Sequence, residues 1–98
     1  MSDNDEDFYN RADSHIKLAN EQITDEVGRG RVSGSFMFAL SRFNSWVSAC
    51  TCKDAEEMKK DKEEFIEYFV KEYREMLDEN IDDYIENFDS YLGRSKDA

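Results

Sequence analysis

The first residue in this sequence that could carry chemistry is its single histidine, His15. It follows Asp13 by two positions, and an imidazole beside a carboxylate can transfer a proton near neutral pH. No nucleophile with a supporting third group lies near it in the sequence. Because a working active site needs such companions, we expect His15 to be structural and predict no catalytic residue.

Three further polar residues, Asn20, Arg42 and Asn44, accompany His15 at or beside apolar positions of the first two predicted helices. Buried amide and guanidinium groups need hydrogen-bond partners, so we interpret these four residues as a structural network. The alternative is a polar pocket in a small-ligand-binding protein or an enzyme. A cleft lined by all four would favour that alternative.

Two cysteines separated by one residue, Cys50 and Cys52, offer two thiolates to a metal. A tetrahedral zinc site needs four ligands, usually with two to four residues between paired cysteines. Cys50 continues an apolar stripe and is expected to be a small buried hydrophobe. Cys52, at the helix end, is expected to be exposed and oxidisable.

Residues 78–89 imitate a calcium-binding loop, with oxygen ligands at the first, third and fifth positions. The sixth position requires Gly for a sharp turn and holds Asp83, and the twelfth requires a bidentate Glu and holds Asp89. The apolar residues between these oxygens keep helical spacing, which indicates a solvated helix face. We therefore predict no metal and no cofactor.

Acidic residues are concentrated near the C-terminus: residues 75–91 contain seven of them and no Lys or Arg. Five step by three and four, as residues on one helix face do. We call them the acidic face: Glu75, Glu79, Asp82, Glu86 and Asp89. Neighbouring like charges on a helix each cost about 0.2–0.5 kcal/mol, so this face opposes its own helix. It either keeps the protein soluble or docks a basic partner.

Apolar periodicity predicts the helices that position these residues. Apolar residues at steps of three and four predict a first helix over residues 5–26, with Ser2 or Asp3 as its N-cap and Gly28 in a left-handed closing conformation. A loop at residues 27–31 precedes a second helix with few charges, which is expected to be the most buried. Its apolar stripe consists of Val32, Phe36, Ala39, Leu40, Phe43, Val47 and Cys50.

A third helical segment is predicted over residues 54–92, where Asp54 and Glu57 have the spacing of a helix N-cap and third position. A straight helix of that length would extend ~58 Å, far more than a compact domain of this size accommodates. Asp78 and Asn80 are good capping residues, and we expect a break near Asn80. The apolar face of this segment comprises Ile66, Val70, Tyr73, Leu77, Ile81, Tyr84, Phe88 and Leu92.

Composition bounds the class of protein. Leu, Ile, Val and Phe together contribute 20 of 98 residues and the formal net charge is −11, so the core is thin for one small domain. The acidic balance argues against nucleic acid and anionic membranes as partners. No apolar run approaches the ~20 residues of a membrane span, and the acidic N-terminus is unlike a targeting signal. We expect a cytoplasmic protein.

Several short motifs resemble a family of short proteobacterial proteins known only as a domain of unknown function. They are Phe8-Tyr9, Ala12-Asp13, Leu18-Ala19-Asn20-Glu21-Gln22, Arg42-Phe43-Asn44, Tyr68-Phe69, Tyr73, Met76-Leu77, Asn80, Asp83-Tyr84-Ile85 and Phe88. The resemblance covers about residues 8–92. It implies a small helical bacterial protein and brings no activity, ligand or catalytic residue. The chain departs from the pattern at Gly34, Ser35 and Ser41, where Ala is expected, and at residues 50–52.

These observations predict an all-α protein: a small bundle of three helices in one domain over residues 1–98, with frayed termini at 1–4 and 93–98. The first two helices are expected to form an antiparallel pair, with the third packing across them. The thin core and the overlong third segment favour a homodimer. The expected function is a non-enzymatic protein-interaction module, with a basic protein as a candidate partner of the acidic face.

Overall fold

The structure, a computed structural model, describes residues 5–93. Four helices follow one another: α1 (Asp5–Gln22), α2 (Arg29–Cys50), α3 (Ala55–Glu86) and α4 (Phe88–Tyr91). No strand occurs within residues 5–93, and the prediction of an all-α protein is confirmed. The chain divides between Val47 and Ser48 into two units. A single domain over 1–98 and the closed three-helix bundle stay predictions.

In the first unit, α1 ends at Gln22, so the predicted end at residue 26 is wrong. Thr24 explains the earlier end. Its hydroxyl accepts hydrogen bonds from the backbone N–H groups of Glu26 (3.2 Å) and Val27 (3.0 Å), and its own N–H donates to the Val27 carbonyl at 2.9 Å. A threonine that bonds the following backbone in this way competes with the helix.

Gly28 starts α2 rather than closing α1. Its carbonyl accepts hydrogen bonds from the N–H groups of Arg31 and Val32, both at 3.2 Å, which is the role of a helix N-cap. The predicted left-handed conformation of Gly28 is wrong, because the positive-φ glycine among residues 5–93 is Gly93, at φ +69°. As a result α2 begins at Arg29, inside the predicted loop.

The helices of the first unit meet through the rings of His15 and Phe36, whose centroids lie 6.5 Å apart. Each ring is seven residues from the loop end of its helix, which is the register expected of an antiparallel pair. Val32, 5% exposed, is the buried hydrophobic residue in the part of the chain that the structure describes. The rest of the α2 stripe is open, and Phe43 is 60% exposed.

The second unit begins with the end of α2 and the turn into α3. The hydroxyl of Thr51 donates to the Ser48 carbonyl at 2.7 Å, and the Cys52 N–H donates to the Ala49 carbonyl at 3.0 Å. Asp54 then caps α3: its Oδ1 accepts a hydrogen bond from the Glu57 N–H at 2.9 Å. The predicted N-cap at Asp54 is confirmed.

The predicted break near Asn80 is wrong, because α3 runs without interruption from Ala55 to Glu86. At 1.5 Å per residue its 32 residues extend ~48 Å. The break lies at Asn87, which has φ −113° and ψ 25° and separates α3 from α4. Asn80 is exposed, so its amide can face solvent without disturbing the helical backbone.

Two predictions fall partly or wholly outside the described residues: the N-cap at Ser2 or Asp3, and the frayed ends at 1–4 and 93–98, of which Gly93 alone is described, in a turn. Over residues 5–93, no helix has both the length and the apolar character that a membrane crossing requires.

Candidate functional site

A polar cluster in the second unit fastens α4 to the end of α3. The Tyr91 hydroxyl donates to the Asp83 carboxylate, at 3.0 Å from Oδ2 and 3.2 Å from Oδ1. The side-chain amide of Asn87 donates to Oδ1 and to the backbone carbonyl of Asp83, both at 3.0 Å. The rings of Tyr84 and Tyr91 meet edge to face with centroids 4.8 Å apart. Asp83 therefore accepts hydrogen bonds both from Asn87, where α3 ends, and from Tyr91, on the short helix α4.

This geometry changes the acidity of Tyr91. The hydrogen bond to Asp83 raises the pKa of Tyr91 above its ordinary value of 10.0, because a neutral hydroxyl can donate and a tyrosinate cannot. The negative charges of Asp83 and Glu86 add to the shift. The cluster is thus a structural clasp that needs a protonated tyrosine.

Beside this clasp, the second unit carries an open apolar groove of about 410 Å³. It is lined by Leu77, Asn80, Ile81, Tyr84, Ile85 and Phe88. Its apolar side chains are 41% to 68% exposed, so the groove is open. Asn80 lines this groove instead of breaking the helix.

The acidic face lies on roughly the opposite side of α3 from this groove. Glu75, Glu79, Asp82 and Glu86 are all exposed on α3. Asp89 lies beyond the break, on α4, and is half-buried. The acidic face of α3 therefore has four members, and the fifth is displaced by the turn at Asn87.

The four residues of the candidate polar network all lie in the first unit. His15 is exposed beside Phe36, and Asn20 and Arg42 are exposed. Asn44 is half-buried. The groove described above lies elsewhere, in the second unit, and contains none of them. The network and the pocket both stay predictions.

The two cysteines are free and have the opposite exposure to that predicted: Cys50 is exposed and Cys52 is half-buried. The apolar stripe that Cys50 continues is itself uncovered, since Val47 on that stripe is 39% exposed. Cys52 is folded back by the turn, with Sγ 3.5 Å from the Ser48 carbonyl oxygen. Within residues 5–93, no three His, Cys, Asp or Glu side chains come together as metal ligands.

The clasp and the groove were not predicted from the sequence. A signal for the clasp is nevertheless present, because Asp83, Asn87 and Tyr91 are spaced by four residues and so share one helix face. Asn87 has the same capping chemistry as Asn80, but it alone has Asp83 one turn before it and Tyr91 one turn after it.

The fold and these surfaces define a small all-helical protein of net negative charge with many exposed apolar side chains among residues 5–93. Residues 8–85 match the family described as "Protein of unknown function (DUF3144)", and the chain belongs to that family. The resemblance to a domain of unknown function is thereby confirmed, and the bacterial origin that it implied stays a prediction. Neither a curated protein nor a solved structure matches the chain.

Proposed function

We propose that this protein is a non-enzymatic protein-interaction module that is completed as a homodimer and presents its acidic face to a basic protein. The proposal rests on one observation, the exposure of its apolar side chains. Val32 is the buried hydrophobic residue among those described, while 24 large apolar residues are exposed. Single chains rarely expose apolar patches larger than a few hundred Å².

The size of that surface fits a second copy of the chain. At roughly 100 Å² apiece, about half of what a large aromatic side chain buries, these residues present on the order of 2,000 Å² per chain. Obligate dimers bury about 2,000–5,000 Å² in total, which is about 1,000–2,500 Å² from each chain. Another copy of the same chain is available wherever the chain is made. It can therefore cover apolar side chains whose burial stabilises the fold.

The acidic face supports the second half of the proposal. It lies on the side of α3 away from the apolar groove at Leu77, Ile81 and Tyr84, so it stays accessible when that groove is covered. Its carboxylates repel one another at some cost to the helix, and a partner that brings Lys or Arg would relieve that repulsion.

Light scattering after gel filtration tests the homodimer. We expect a mass of twice the chain's 11.6 kDa at tens of micromolar. A mass of 11.6 kDa with a compact radius would refute it.

Salt-dependent capture tests the acidic face. The double variant Asp82→Asn, Glu86→Gln should lose capture of a basic protein that the wild type holds at low salt. The matched control, Glu63→Gln with Glu64→Gln, removes the same charge from a part of α3 that also carries lysines, and it should retain capture. Equal capture by all three proteins would remove the acidic face from the proposal.

A further inference from the structure

Two free thiols lie close together where α2 ends and the chain turns into α3. Cys50 is the last residue of α2 and is exposed, and Cys52 is half-buried in the turn. The Cys52 N–H donates a hydrogen bond to the Ala49 carbonyl at 3.0 Å, which continues a tight helical turn past the end of α2. In such a turn, Cα atoms two residues apart are separated by about 5 Å. That separation lies within the range of about 4.4–6.8 Å that a disulfide spans.

The Cys52 thiol is held weakly in its present position. Three donors approach the Ser48 carbonyl oxygen: the Thr51 hydroxyl at 2.7 Å, the Thr51 N–H at 3.1 Å and Cys52 Sγ at 3.5 Å. A carbonyl oxygen has two lone pairs, and a thiol is the weakest of these donors. When Cys52 Sγ moves away, the carbonyl keeps its two shorter hydrogen bonds. The sulfur can therefore leave without making the carbonyl of the buried residue Ser48 unsatisfied.

We propose that Cys50 and Cys52 form a reversible disulfide with each other by exchange with a small-molecule disulfide. This proposal does not depend on the homodimer. The exposed Cys50 attacks as its thiolate, bonds to one sulfur of the small disulfide and displaces the other sulfur as a thiolate, which takes up a proton. The Cys52 thiolate then attacks the sulfur of Cys50 in this mixed disulfide and displaces the second small thiolate. In total the two cysteines lose two protons and two electrons, and the small disulfide becomes two thiols.

Forming this disulfide opens the turn between α2 and α3. Side chains two positions apart on a helical turn point to nearly opposite sides, so the two sulfurs meet only when the backbone at Thr51 rotates. That rotation breaks the hydrogen bond from the Cys52 N–H to the Ala49 carbonyl. Strained and exposed disulfides are also the ones that thiols reduce most easily. The cysteine pair is therefore suited to a reversible switch of this turn and unsuited to a permanent crosslink.

Reaction of the full-length chain with oxidised glutathione tests the proposal, followed by intact mass spectrometry. The wild type should lose the mass of two hydrogens and retain no glutathione, and an excess of reduced glutathione should restore the original mass. Cys52→Ser lacks the second thiol and should stop with one glutathione bound to Cys50. Cys50→Ser should react several-fold more slowly than Cys52→Ser, because its remaining thiol is half-buried.

Hydrogen exchange measured by NMR tests the opening of the turn. The amide proton of residue 52 should exchange several-fold faster in the oxidised wild type than in the reduced protein, whereas the amide of Met58, which bonds to the Asp54 carbonyl at the start of α3, should be unchanged.

Three results would overturn the proposal or one of its steps. A wild type that keeps glutathione, links two chains or does not react would refute the disulfide between Cys50 and Cys52. Equal rates for the two single variants would refute the order of attack. Unchanged exchange at residue 52 in the oxidised chain would refute the opening of the turn.

Discussion

The hydroxyl of Tyr91 donates a hydrogen bond to the carboxylate of Asp83, at 3.0 Å, across the break at Asn87 that ends α3. A four-residue helix has too few internal hydrogen bonds to persist alone. The bond to Asp83, with the edge-to-face contact between Tyr84 and Tyr91, therefore holds α4 in place.

Removing this hydroxyl should loosen α4 and leave α3 intact. The backbone N–H groups of residues 91 and 92 donate hydrogen bonds to the carbonyls of Asn87 and Phe88. In Tyr91→Phe, the protons of these two amides should exchange several-fold faster than in the wild type. Hydrogen exchange followed by NMR measures this directly. Tyr68→Phe removes a hydroxyl outside the clasp and should leave those amides unchanged; equal acceleration in both variants would contradict the clasp.

The clasp should also open at high pH. Because the pKa of Tyr91 is raised by its bond to Asp83, the stabilisation that the bond provides is present below pH 10.0 and is lost as the pH rises through the folded-state pKa. Absorbance of tyrosinate should show one tyrosine titrating late. That late component should be missing from Tyr91→Phe and should shift to lower pH in Asp83→Asn; a late component that persists in Tyr91→Phe would assign it to another tyrosine.

The cap at the start of α3 should make a measurable contribution to stability. Asp54→Ala leaves the Glu57 N–H without its acceptor and should lower the free energy of unfolding by about 1 kcal/mol. Asp54→Ser keeps an acceptor oxygen and should retain most of the stability. Denaturant titrations of the three proteins compare these values, and equal losses in Ala and Ser would show that capping is not the cause.

The acidic face should respond to salt. Added salt screens the repulsion between Glu75, Glu79, Asp82 and Glu86, so the melting temperature should rise from low ionic strength. Asp82→Asn with Glu86→Gln should stabilise the protein slightly and flatten this salt dependence. Calorimetry at two salt concentrations measures both effects. Unfolding by the double change would mean that these carboxylates have structural partners, and the docking face would be abandoned.

A charge placed in the apolar groove of the second unit should separate the two copies of the proposed homodimer. Leu77 is 41% exposed in the single chain, so a carboxylate at this position costs little in a monomer and much in a dimer that buries it. Leu77→Asp should weaken dimerisation at least tenfold, as measured by sedimentation. Glu79→Ala changes an exposed residue of the acidic face and should not; an unchanged dimer in Leu77→Asp would place the interface elsewhere.

The features that were predictable from the sequence are local ones. The helical class follows from apolar residues at steps of three and four, and the start of α3 from Asp54 with Glu57. The end of α1 and the break at Asn87 were missed because each depends on which of several polar side chains bonds the backbone. Thr24 and Asn87 do so, and Asn80 does not. The exposure of Cys50 was missed because it depends on what covers the α2 stripe, which residue spacing does not determine.

The claim that a second copy supplies the missing core is tested most directly by thermal unfolding as a function of protein concentration, followed by helical circular dichroism. Folding coupled to dimerisation makes the melting temperature rise with chain concentration. We predict a rise of several degrees between one and one hundred micromolar, with the midpoint of Leu77→Asp well below that of the wild type at each concentration. A midpoint that stays constant over this range, together with a monomeric mass, would contradict the account.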